Sequence, residues 1–172
     1  MSAGTGSVGR TNPLRPQMRT AILGAALAAA FLAAPDASAQ NISLEPTYGN
    51  VRLSAGFLPD PRTVSLTAGG GIAVSMGECS YGYVASAPDV DFYYTGNGRN
   101  NLYIYARSGS DTTLLVNQPS GNWICNDDGL GEGTNPMIVL SRAASGLYNI
   151  YVGTYSNRNT SATLYISEID PR

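Results

Sequence analysis

The residues with the clearest capacity for chemistry are acidic and stand beside turns. Asp89 and Asp91 flank Val90 at the head of an aromatic run, Phe92-Tyr93-Tyr94. Asp111 opens the stretch Thr112 to Val116, and Asn126-Asp127-Asp128 follows Trp123-Ile124-Cys125. That triplet enters Gly129-Leu130-Gly131-Glu132-Gly133-Thr134-Asn135-Pro136, where glycine lets the backbone fold tightly and aim its carbonyls inward. Carboxylates, an amide oxygen and backbone carbonyls are the hard donors that calcium takes, about six to eight of them in flexible geometry. Asp89, Asp91, Asp111, Asn126, Asp127 and Asp128 are therefore candidate metal ligands, with Glu132 and Asn135 beside them, and a structural calcium ion is the candidate cofactor. The spacing is not that of an EF-hand loop. Asn, Asp and Gly also build any tight connection, so plain turn chemistry is the competing reading.

Composition removes other chemistries. The chain has no histidine and no lysine; all ten basic residues are arginine. It cannot form a Ser-His-Asp or Cys-His machine, a Ser-Lys dyad, a Schiff base or a histidine-ligated metal site. With 13% charged residues and a net charge of −2, it does not resemble a basic nucleic-acid binder. No catalytic residue is assigned, and the expected class is non-enzymatic. A carboxylate hydrolase could nominate Asp91 with Asp128, since a glycosidase needs two acids flanking a cleft. Nothing in the sequence shows the cleft.

Elements must position these groups, and the first 39 residues are not among them. Arg10, Arg15 and Arg19 precede an apolar stretch from Ala21 to Ala34, and Ala37-Ser38-Ala39 reads as a small-x-small cleavage site. Residues 1–39 are thus expected to be a secretory signal peptide, leaving a mature chain from near Gln40. The 14-residue apolar stretch is shorter than the roughly 20 that a spanning helix needs, so no membrane span is expected after cleavage. The export expected is to the periplasm or the outside of the cell.

Residues 40–172 carry seven arginines against eleven carboxylates, a net charge of −4. Their length suits one domain with its own core. Cys79 and Cys125 are the chain's two cysteines, and an even count in an exported chain predicts one disulfide. No window beyond Asn50 keeps a helical period. Short strands bounded by turn residues recur instead: Val51 to Ala55, Thr63 to Thr67, Ile72 to Ser75, Ser80 to Val84, Val90 to Thr95 and Leu102 to Arg107. Thr112 to Asn117, Asn122 to Cys125, Pro136 to Leu140, Tyr148 to Gly153 and Ala162 to Ser167 complete the set. Leu102, Ile104 and Ala106 share one face against Tyr103, Tyr105 and Arg107; Tyr148, Ile150 and Val152 oppose Asn149 and Tyr151. Alternation of this kind predicts antiparallel strands with one face on a core and the other on water. Nine to eleven such strands in one domain predict an all-β, two-sheet antiparallel sandwich of jelly-roll-like or immunoglobulin-like type.

An ordered set of motifs also resembles a family. Asp89-Val-Asp-Phe-Tyr-Tyr, Leu102-Tyr-Ile-Tyr, Asp111-Thr-Thr-Leu-Leu-Val-Asn-Gln-Pro-Ser-Gly, Asn126-Asp-Asp and Gly146-Leu-Tyr-Asn-Ile-Tyr-Val-Gly are similar, in that order, to the bacterial pre-peptidase C-terminal domain. The resemblance covers about residues 87–167. It implies a secreted jelly-roll-like sandwich, an accessory module of exported peptidases, calcium-binding in some members; the matching acids are Asp89, Asp91, Asp111, Asp127 and Asp128. The chain is expected to depart from the pattern in lacking a catalytic domain ahead of the module and in adding strands of its own in 40–86. In this it resembles small exported alphaproteobacterial proteins, some labelled serine peptidases, a label that a chain without histidine cannot justify through a triad.

The reading that unites these points is a non-catalytic exported accessory or recognition module, stabilised by calcium. The alternatives are a carbohydrate- or protein-binding module and a peptidase-associated protein or unusual carboxylate hydrolase. An extracellular protein or glycan is the partner class, with Tyr93, Tyr103, Tyr105 and Tyr165 at outward positions; cross-strand pairing of those rings is the simpler explanation. Trp123, beside Cys125, is expected to pack against the disulfide.

Overall fold

Period-two alternation sets the faces of the strands. The computed structural model describes residues 1–4, 6, 9, 40–129, 131 and 133–172, so the expected leader and cleavage site, and Leu130 and Glu132, lie outside the described residues. The strands are β1 (Asn50–Ser54), β2 (Arg62–Ala68), β3 (Ile72–Ala73), β4 (Tyr83–Val84), β5 (Val90–Thr95), β6 (Leu102–Ser108), β7 (Thr112–Asn117), β8 (Trp123–Asn126), β9 (Met137–Leu140), β10 (Gly146–Thr154) and β11 (Thr160–Ser167). No helix is present among the described residues, and hence none long and apolar enough to cross a membrane.

Two sheets result. The larger has seven strands and is organised on β10, which pairs with β5 along Gly146–Ile150, with β7 along Asn149–Thr154 and with β4 at Thr154. β8 extends it beyond β7, β3 beyond β4, and β1 beyond β5. The smaller sheet runs β2-β11-β6-β9. The sandwich is antiparallel except at β1–β5, which is parallel. The core lies between the sheets: Phe92, Leu114, Tyr148, Ile150 and Val152 from the larger meet Leu102, Ile104, Leu164 and Ile166 from the smaller, all with 1% exposure or less. Alternate residues of β6, β10 and β11 thus face the core as their pattern requires. Glu168 ties one end together, accepting from the Tyr94 hydroxyl at 2.6 Å and from Asn100 Nδ2 and the Gly56 N–H at 2.8 Å.

Two expectations change. β3 and β4 are two residues each, shorter than their hydrophobic runs, because the chain between them turns back on itself at the Met76–Cys79 bridge and Cys79 is bonded to Cys125 on β8. Over β7 and the middle of β10, moreover, the outer face of the larger sheet does not meet water. Tyr151 is fully buried and Asn149 is 3% exposed. Val74, Cys79 and Val84 pack over Leu115 and Tyr151 as a second small core, with Trp123 and Cys125 at its edge. Strand alternation alone cannot tell a roofed outer face from a wet one.

The roof leaves no space at Gly70. A Cβ there would fall on the backbone carbonyl of Val84 and the nitrogen of Ala85. Gly70→Ala is expected to cost about 3 kcal/mol, the upper range of overpacking, read from the urea midpoint. A loss within about 0.5 kcal/mol, the range of an inconsequential surface change, would contradict the close packing of this segment on β4.

Candidate functional site

The six candidate ligands fall into two groups with different surroundings. Asp89 and Asp91 belong to the start of β5, on the roofed face. Beyond Ile150, β10 has left β5 and has not yet met β4, so the Val152 N–H lacks a strand partner on that side. Asp89 supplies it: the Val152 N–H donates to Asp89 Oδ2 at 2.7 Å. The backbone of Asp89 adds a bond from its own N–H to the Ile150 carbonyl at 2.8 Å. The side chain is thus a plug in a gap of the hydrogen-bond ladder. Asp89 is 2% exposed, and burial pushes its pKa up to about 7, against the opposing pull of the Val152 bond. Asp91 lies across the sheet from Asn149, whose Nδ2 donates to Asp91 Oδ1 at 2.7 Å. Burial raises its pKa; the Asn149 bond opposes this and the charge of Glu45 adds to it. The Tyr151 hydroxyl, buried without a hydrogen-bond partner, is kept protonated by burial and then by the charges of Asp91 and Asp89.

The second group lies where β7 begins and β8 ends. β7 and β8 are antiparallel with Leu114 opposite Asn126, so Asp111, just before β7, and Asp127-Asp128, just after β8, belong to the same end of the sheet. Asp111 Oδ1 is buried without a hydrogen-bond partner. Its pKa is raised by burial first, then by the charges of Asp128 and Asp127. The Tyr81 phenol is shifted upward by burial and by the same two carboxylates. Among the described residues, no group of three or more His, Cys, Asp or Glu side chains is gathered closely enough to hold a metal ion. Asn126 Oδ1 accepts the Met137 N–H at 3.0 Å, linking β8 to β9. Asn135 Oδ1 accepts from the Ser108 N–H at 2.9 Å and the Thr112 hydroxyl at 3.2 Å, while its Nδ2 donates to the Ser108 carbonyl at 3.3 Å. Asp91 and Asp128, the pair that a hydrolase could nominate, belong to different groups.

The outward tyrosines are mostly covered. Tyr103 is 9% and Tyr105 5% exposed; with Met137 they form a small cluster on the outer face of the smaller sheet. Tyr105 and Tyr165 are register partners whose rings stack at 4.7 Å with 3° between planes. Tyr93 lies under the guanidinium of its register partner Arg52, 3.8 Å from ring centre. Cross-strand pairing accounts for these rings, and Tyr103 and Tyr105 are not open contact surface.

A feature without a local signal in sequence lies beside the disulfide. Met76, Glu78, Cys79 and Tyr81 from the roof face Trp123 and Cys125 of β8 across a cleft of about 550 Å³. Trp123 packs on Tyr151, with ring centres 5.9 Å apart, and it also lines this cleft.

No protein-family model matches the sequence, and no curated protein matches it significantly. Solved structures do. A pre-peptidase C-terminal domain of a collagenase from Bacillus anthracis is similar over 74% of this chain and all of that one, at 16% identity and a TM-score of 0.43. PliG of Aeromonas hydrophila, a periplasmic inhibitor of g-type lysozyme, is similar over 69% of this chain and 96% of that one, at 15% identity and a TM-score of 0.34.

Proposed function

We propose that residues 40–172 act as an exported, non-catalytic accessory or recognition module, stabilised by a calcium ion at Asp111, Asp127 and Asp128. The observation that carries the ion is Asp111 Oδ1, a buried carboxylate oxygen without a hydrogen-bond partner, facing the charges of two further carboxylates. Leaving such an atom unpaired is costly, and like charges beside it add repulsion. A hard divalent cation relieves both at once. Such an ion takes about six to eight oxygens, so backbone carbonyls or water must add to these three carboxylates, and it would draw the side chains closer together than they stand without it. Export fits a single disulfide that joins two distant segments, a bond favoured in oxidising compartments. The non-catalytic reading rests on a chain without histidine or lysine.

The test is a thermal melt of the purified domain in calcium and in chelator. With calcium about a hundredfold above its Kd, linkage gives about 2.7 kcal/mol of added stability. Asp111→Asn is expected to abolish the difference while raising the stability of the chelated form, because it removes a raised-pKa carboxylate from its repelling neighbours. Equal midpoints in the two buffers would remove the ion from the account. Casein and chromogenic-glycan assays are expected to show no turnover.

A further inference from the structure

The disulfide positions more than a roof. By bonding Cys79 to Cys125 it holds the turn at Met76–Cys79 beside β8 and leaves the cleft between them open. Its walls are a thioether, a phenol, an indole and the disulfide itself, from Met76, Tyr81, Trp123 and Cys79–Cys125. Its charge is of one sign. Glu78 is an exposed member of the lining, and Asp127 and Asp128 act on the Tyr81 phenol. Among the described residues the one salt bridge is Arg172–Asp170, so none of these three carboxylates is neutralised by an arginine of the fold. The surrounding domain is itself net negative.

Aromatic faces carry negative potential and attract cations, most strongly on tryptophan. A guanidinium is flat enough to stack on such a ring, is weakly hydrated, and carries donors that match carboxylates. A neutral sugar could stack on the indole but would gain nothing from the uncompensated charge. We propose that this cleft receives an arginine side chain presented by a protein partner, with Trp123 and Tyr81 as the stacking walls and Glu78 as the counter-charge. The inference rests on reading the domain as a recognition module and names the chemistry of its partner.

Trp123 is the sole tryptophan of the chain, so its fluorescence reports the cleft directly. The full domain, in chelator so that calcium cannot mask Asp127 and Asp128, is titrated with acetyl-Gly-Arg-Gly-amide and with its citrulline twin, which keeps the shape and loses the charge. A saturable change is expected with the arginine peptide, weakening as salt is raised, and none with the twin. Glu78→Gln is expected to bind about fivefold more weakly. Trp123→Phe, read by calorimetry and checked for its fold by circular dichroism, is expected to weaken binding as well. Equal response to the two peptides, no saturation by either, or saturation only by chito- or cello-oligosaccharides would each overturn the assignment. The calcium melt is independent of these outcomes: a failed titration with an intact calcium response leaves the module reading in place, and equal melts with successful titration leave the cleft.

Discussion

Replacing Cys79 and Cys125 together by alanine is expected to remove about 4 kcal/mol of stability, the chain-entropy value for a bond joining positions 46 apart. The urea midpoint measures it. More than loop entropy depends on this bond. It anchors the segment whose Val74, Cys79 and Val84 roof the outer face of the larger sheet over Leu115 and Tyr151. Without the bond, that cover is held by β3, β4 and a small apolar cluster, and Trp123 fluorescence is expected to shift even where the main core remains folded. A loss below about 1 kcal/mol would mean that the apolar contacts suffice and that the disulfide contributes little, the lower end of what such bonds do.

Asp89→Asn has the largest expected effect on the pH profile. Asp89 has a folded pKa of about 7 against an unfolded value near 3.8. The folded state therefore binds the proton more tightly, and the stability tied to the neutral carboxyl is fully present below about pH 4. It is lost as pH rises through 7, because the unfolded chain ionises freely while the folded chain must ionise a buried group. Asparagine keeps an oxygen to accept the Val152 N–H and cannot ionise. Relative to the variant, the wild type is expected to lose about 2–3 kcal/mol between pH 5 and pH 8, following from a shift of this size. Parallel urea series at the two values read it. Parallel stability curves for the two proteins would show that Asp89 ionises as easily in the fold as out of it.

The cysteines and the acids differ in how far a reader of the sequence could go. The cysteines were legible: two in an exported-looking chain leave one pairing. The acids at 89 and 91 were legible as unusual, but their hydrogen-bond partners were not. Asp89 is a ladder plug because its partner N–H lies 63 positions away on β10, where neighbouring strands change over. Asn126 and Asn135 were legible as ligand or turn residues, but not their cross-strand hydrogen bonds with Met137 and with Ser108 and Thr112. That Asp111 stands at the same end of the sheet as Asp127 and Asp128 follows from the antiparallel β7–β8 register. The disulfide puts residues 76–81 beside residues 123–125, but the cleft between them was not readable, since its concavity depends on how the roof folds over the sheet.

Local pattern was enough for the strands and their core faces. Alternation at period two is a property of each segment alone, and turn-forming residues bound the segments without reference to the rest of the chain. Tertiary structure alone decided that β1 pairs parallel to β5, that β10 serves three neighbours, and that one outer face is roofed. The physical reason is that an outward-facing side chain is chosen by its strand, but what comes to lie on it is chosen by chain brought from elsewhere. Hydrogen-bond partners, carboxyl protonation and concave surface all depend on that second choice.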